Sequence, residues 1–82
     1  MFTVYIIRSE STGRYYIGFT SNIADRLKHH NSGASKFTKG KGPWILVYSE
    51  NFKEKGDAWL RERKIKSYRG GNAFTKLIIG EV

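Results

Sequence analysis

Two tyrosines, Tyr5 and Tyr16, sit within two short runs, Thr3-Val4-Tyr5-Ile6-Ile7 and Tyr15-Tyr16-Ile17-Gly18, and are followed by Arg26, His30 and Glu62. Two phenols, a guanidinium, an imidazole and a carboxylate form a set suited to cutting phosphodiesters. Such a reaction needs a group that takes a proton from water, a cation that meets the charge growing on phosphate oxygens, and a hard-oxygen ligand for a divalent ion. A phenol with an ordinary pKa near 10 is a poor base at neutral pH, so either tyrosine would need a neighbouring cation or metal.

Both runs are rich in β-branched and aromatic residues, and turn formers Ser9-Glu10-Ser11-Thr12-Gly13 separate them, which predicts an antiparallel hairpin over Phe2 to Arg8 and Arg14 to Thr20. Ser21-Asn22 offers an N-cap, Asp25 suits the first turn, and a helix is expected from Asn22 to His30, ended by Asn31-Ser32-Gly33. Gly33 to Gly42 reads as a basic loop carrying Lys36, Lys39 and Lys41. The apolar run Trp44 to Tyr48 after Pro43 predicts a well-buried third strand at the centre of the core. Glu54 to Tyr68 has helical composition, weakened at Gly56, and a last short helix capped by Asn72 carries Phe74, Leu77 and Ile78 on one face.

Composition narrows the function further. At 82 residues the chain reads as one domain spanning 1–82, with room for one compact site. It contains no cysteine, which removes disulfides, thiol catalysis and thiolate metal sites. The apolar segment Thr3 to Ile7 is too short for a signal-peptide core and no run is long enough for a membrane helix, so a soluble, cytoplasmic protein is expected. A net charge of +8, from 15 Lys and Arg against 7 acids, asks for a polyanion, with nucleic acid foremost. A merely solubilising basic surface explains the charge equally well. Aromatics interleaved with cations in Lys36-Phe37-Thr38-Lys39 and Lys66-Ser67-Tyr68-Arg69 favour nucleic acid.

On the first helix Ile23, Arg26, Leu27 and His30 share a stripe, so a cation and an imidazole stand beside two core aliphatics. Arg26 either grips a phosphate or snorkels with its head in water. On the second helix Ala58, Glu62 and Ile65 share a face, making Glu62 the inward anion. It is expected either to pair with Arg26 or Arg69 or to hold one Mg²⁺ or Mn²⁺. His30 alone reads as a surface histidine closing a helix. Taken singly, Tyr5 and Tyr16 read as core aromatics with hydroxyls at the rim.

In order, Thr3-Val4-Tyr5, Tyr16-Ile17-Gly18, Arg26, His30 and Glu62 within Arg61-Glu62-Arg63-Lys64-Ile65-Lys66 resemble the GIY-YIG endonucleases, particularly the small stand-alone bacterial members, over nearly the whole chain. The chain departs from the pattern at Thr3, where the family has glycine, and mildly at Val4. The resemblance implies an α+β fold, a small three-stranded sheet flanked by helices in the order β-β-α-β-α-α. It implies a metal-dependent endonuclease cutting DNA phosphodiester bonds, structure-selective and acting in repair or recombination. Tyr5 would be the general base or water-positioning phenol, Tyr16 the phosphate-side phenol, Arg26 the charge stabiliser, His30 an aid to proton movement and Glu62 the ligand of one Mg²⁺ or Mn²⁺. Lys28, Lys36, Lys39, Lys41 and Arg61 would bind the DNA, and monomer and weak dimer both fit. The alternative is a non-catalytic basic nucleic-acid-binding module on the same fold.

Overall fold

Five consecutive residues, Thr3 to Ile7, are buried, which a strand achieves only when both of its faces are covered. In the computed structural model, which describes residues 1–33 and 38–80, these residues belong to β1 (Phe2–Ser9), the central strand of a three-stranded antiparallel sheet. β2 (Tyr15–Thr20) and β3 (Trp44–Phe52) flank it in the order β2-β1-β3. The helices are α1 (Ile23–Asn31), α2 (Lys55–Ser67) and α3 (Asn72–Ile79). The α+β class and the order β-β-α-β-α-α are therefore as expected.

Alternation along β1 splits the interior in two. Val4 and Ile6 point to one side, where they meet Ala58 and Ile65 of α2 and Phe74 of α3, with Leu77 and Ile78 packed alongside. Tyr5 and Ile7 point to the other, where Trp44, Tyr16, Ile23 and Leu27 complete a second, more aromatic cluster under α1. The tyrosines thus belong to the α1 side of the sheet.

Local chemistry explains the element ends. Ser9 N–H donates to the Arg14 carbonyl at 2.8 Å and Gly13 N–H to the Ser9 carbonyl at 2.9 Å, closing the hairpin. Gly13 adopts φ 75°, a region that costs a side chain strain, which is why the turn ends on glycine. Asn22 caps α1 by accepting from the Asp25 N–H at 3.1 Å. Thr3, standing where the family pattern has glycine, donates its hydroxyl to Asn51 Oδ1 at 2.8 Å and ties β1 to β3.

Two expectations change. The run Trp44 to Tyr48 does form a strand, but at the sheet's edge; Ile45 and Leu46 are 42% and 40% exposed. The reason is topological: β2 takes one side of β1 through a short turn, β3 takes the other, and only β1 gains two neighbours. Ile6 pairs with Tyr48 while Ile7 pairs with Leu46, so Val47 is an extra residue that bulges the edge strand. Asn72 is not the cap of α3. Gly71 occupies that position without a side-chain cap bond, and Asn72 is the first helical residue. Among the described residues, no helix is long and apolar enough to cross a membrane.

Because Ile65 is completely buried against β1 and Leu60 of the same helix is 59% exposed, truncating them separates core from surface. Ile65→Ala is expected to lower unfolding free energy by about 2–4 kcal/mol, and Leu60→Ala by less than about 0.5 kcal/mol, in urea titrations.

Candidate functional site

Pairing within the hairpin sets Tyr5 opposite Gly18 and Ile7 opposite Tyr16, so both phenols emerge from one face of the sheet. The Tyr5 ring crosses directly over Gly18. A methyl group on that glycine would sit 2.7 Å from the Tyr5 hydroxyl oxygen and 2.9 Å from Cζ, closer than side-chain carbons approach in folded proteins. Glycine at this position is thus a vacancy that the tyrosine fills. The two phenol rings lie 6.4 Å apart between centroids and 29° from parallel.

His30 closes the group. It is the last-turn histidine of α1, 2% exposed, and its ring centroid lies 4.8 Å from that of Tyr16 and 5.9 Å from that of Tyr5. Nε2 and the Tyr5 hydroxyl share a hydrogen bond of 2.9 Å, and Nδ1 shares another of 2.9 Å with the buried Thr38 hydroxyl. Thr38 is held in turn by its carbonyl, which accepts from the Trp44 indole N–H at 3.1 Å. The result is a continuous buried chain, Thr38–His30–Tyr5, running into the face between the two tyrosines.

The remaining two groups act on this chain electrostatically. Burial raises the Tyr5 pKa well above its ordinary value; Tyr16 and the Glu62 carboxylate add to the rise, and the Arg26 guanidinium opposes it. Burial lowers the His30 pKa below 6.5, and the cations of Arg26 and His29 lower it further. The contacts at the Tyr5 hydroxyl are therefore those with His30, to which it is bonded, beside the Tyr16 ring, while Arg26 and Glu62 bear on it through charge and not through contact.

Arg26 is exposed and lines an open cleft of about 240 Å³ with Thr20, Asn22, Asp25 and His29. Glu62 has its side chain 14% exposed and pairs with Lys66 at 3.4 Å one turn along α2, not with Arg26 or Arg69 as expected. The i, i+4 spacing brings Lys66 to it with no tertiary rearrangement. His30 is a buried hydrogen-bonded group, not the surface residue that its helix-end position predicts.

Of the cations expected to bind DNA, Lys28, Lys39 and Lys41 are exposed, Lys28 in the last turn of α1 and the other two in the segment leading to β3. The Lys41 carbonyl accepts from the Ser9 and Ser11 hydroxyls, fixing that segment against the hairpin turn. Arg61 is half-buried and pairs with Glu50 of β3 at 3.4 Å, where Glu50 also accepts from the Tyr48 hydroxyl. Lys36 lies outside the described residues. Sequence reasoning missed Thr38 as a partner of His30. Its only signal was a small hydroxyl residue in a basic loop, and nothing local to that loop shows that the chain returns to the end of α1.

Residues 1–72 match the GIY-YIG catalytic domain. The chain belongs to the GIY-YIG family. It is 44% identical over 64 residues to the UPF0213 protein of Clostridium perfringens, covering 77% of this chain and 68% of that one. With the UPF0213 protein of Halobacterium salinarum it shares 40% over 67 residues, covering 80% and 86%. The solution NMR structure of the UPF0213 protein BH0048 from Bacillus halodurans is similar at 34% identity over 94% of this chain and 97% of that chain, with a TM-score of 0.49. A GIY-YIG domain has a nuclease-type fold, and nucleic acid is the partner this membership points to. Tyr5 of the first triplet and Gly18 of the second are the residues found in contact across the hairpin.

Two measurements check this geometry. Gly18→Ala must push the Tyr5 ring aside, so unfolding free energy is expected to fall by about 1–3 kcal/mol and the Tyr5–His30 bond to be lost, seen as a changed His30 ring resonance by NMR. His30 binds a proton less readily in the folded protein than in the unfolded chain, so its contribution to stability is full above pH 6.5 and is lost as pH falls toward its lowered folded value. The melting temperature is expected to drop between pH 7 and pH 5, and to drop less in His30→Gln, by scanning calorimetry.

Proposed function

We propose that the protein is an endonuclease that hydrolyses DNA phosphodiester bonds with one Mg²⁺ or Mn²⁺, selects its substrate by DNA structure and serves repair or recombination. The single observation that carries this reading is the buried Thr38–His30–Tyr5 hydrogen-bonded chain with the Tyr16 ring packed against it, in a protein of the GIY-YIG family.

The donor set fits a hard divalent cation shared with substrate. Among the described residues, no three His, Cys, Asp or Glu side chains gather as a metal cage. A lone, mostly buried carboxylate such as Glu62 matches the way Mg²⁺ binds, through one or two carboxylates, with waters and phosphate oxygens completing the shell. When bound there, the ion would supply Lewis-acid stabilisation of charge on the phosphate and the leaving oxygen.

The chain's own residues supply proton movement and orientation. Tyr5 rests as a neutral phenol, because burial disfavours its phenolate. His30 rests as a neutral imidazole at physiological pH, for the reasons given above. With Nδ1–H donating to the Thr38 hydroxyl oxygen, Nε2 accepts the Tyr5 O–H, which leaves the phenol oxygen's lone pairs to accept from an attacking water. As the water oxygen bonds to phosphorus, its proton passes to the Tyr5 oxygen and the phenol proton passes to His30 Nε2. Imidazolium forms and the phenol is regenerated, so no free phenolate is needed. The bond from phosphorus to the leaving oxygen breaks in the same displacement. Tyr16 hydrogen-bonds a phosphate oxygen, and Arg26 faces the charge that accumulates on the non-bridging oxygens.

Incubation of the purified protein with duplex, flap, fork and four-way DNA in Mg²⁺ or Mn²⁺ tests the proposal. Cleavage is expected in either metal and none in EDTA, with Arg26→Ala and Glu62→Gln losing about 10²–10³-fold or more while keeping the fold by circular dichroism. Equal cutting by both variants and the parent overturns the site. Salt-sensitive binding without turnover in either metal makes the protein a binding module instead.

A further inference from the structure

Trp59 is a large aromatic residue on α2 and is 44% exposed. Nothing in the core requires it: Ala58 and Ile65 are the residues of this helix that are buried. The Arg63 guanidinium lies over its ring at 4.8 Å. Helical spacing puts Trp59 one turn before Glu62 and Arg63, on the flank of α2 that also carries Lys55 and Lys66. Lys66 reaches Glu62 itself, so this flank borders the candidate metal ligand directly.

We infer that Trp59, backed by Arg63, is a stacking platform for one unpaired nucleobase of the DNA strand whose phosphate lies at Glu62. This rests on the nuclease reading of that site and adds the substrate feature it selects. An aromatic ring beside a track of cations is how proteins hold single strands, since every base presents a π-face and the cations meet the backbone. A base inside a duplex is already stacked on its neighbours and cannot use the ring. Charge argues for this occupant over a second copy of the chain. α2 carries Lys55, Arg61, Arg63, Lys64 and Lys66 against Asp57 and Glu62, and two-fold pairing of such helices sets like charges together.

The test is equilibrium binding of fluorescent (dT)12 and of a 12-base-pair duplex, in EDTA so that nothing is cut. Trp59→Ala is expected to weaken (dT)12 binding about tenfold, with a loss on duplex at least about threefold smaller. Trp59→Phe retains most of the single-strand affinity, and Leu60→Ala, exposed on the same helix, leaves it unchanged. Equal losses on both DNAs, or no loss, overturn the inference. So does a parent protein that sediments as a dimer which Trp59→Ala dissociates, because a second copy then covers the ring. The two readings fail separately. A protein that shows the Trp59 dependence but cuts no DNA in metal keeps this inference and loses the nuclease, and one that cuts DNA while Trp59→Ala binds like the parent does the reverse.

Discussion

The Tyr5 ring lies across Gly18 with no space between them for a methyl group, and the buried bond from its hydroxyl to His30 depends on that contact. Because the ring lies over Gly18 of the neighbouring strand, its hydroxyl is held at the Nε2 of His30. Because β1 is covered on both faces, the strand cannot shift to relieve the crowding. A one-residue slip in the hairpin would turn Tyr5 toward the aliphatic cluster under α2 and α3 and dissolve the site.

Burial makes the polar chain obligatory. An imidazole and a phenol taken out of water each need partners, since an unpaired buried polar group costs about 1–3 kcal/mol. Here the Tyr5 hydroxyl, both His30 ring nitrogens and the Thr38 hydroxyl satisfy one another, and no buried side-chain polar atom is left unpaired among the described residues. The same desolvation that demands these bonds keeps the phenol and imidazole neutral. Stability and the charge state of both groups thus draw on one arrangement, which the charges of the exposed Arg26 and the partly buried Glu62 also influence.

Those parts of the fold that depend on short-range pattern were legible. Alternating strands around turn formers, Asn22 as a cap and the Ala58–Ile65 spacing mark the hairpin and helices, and the ordered polar residues mark the family. What escaped depended on contacts distant in sequence. Trp44 to Tyr48 is as apolar as a central strand, and only the pairing of β1 with two partners shows that β3 is the edge. The burial of His30 depends on Thr38 and Trp44, which approach through a loop whose path the residue types do not encode. Glu62 is mostly buried, as the Ala58–Ile65 face implies, but it pairs with the nearest cation on its own helix and not with a distant arginine, because the i, i+4 pair forms without any tertiary contact.

Asn31, the last residue of α1, binds the edge strand in an unusual manner for a helix end. Its Oδ1 accepts the Trp44 N–H at 2.7 Å and its Nδ2 donates to the Trp44 carbonyl at 3.1 Å. The side-chain amide thereby imitates one peptide unit of a fourth strand. An edge strand is normally an invitation to another chain, since its outer N–H and C=O groups are unmet. At Trp44 that invitation is withdrawn, and the residue that withdraws it is covalently next to His30. The helix that carries the imidazole is thus stitched to the sheet's rim, so one amide both covers the edge strand at Trp44 and fixes the helix end beside His30.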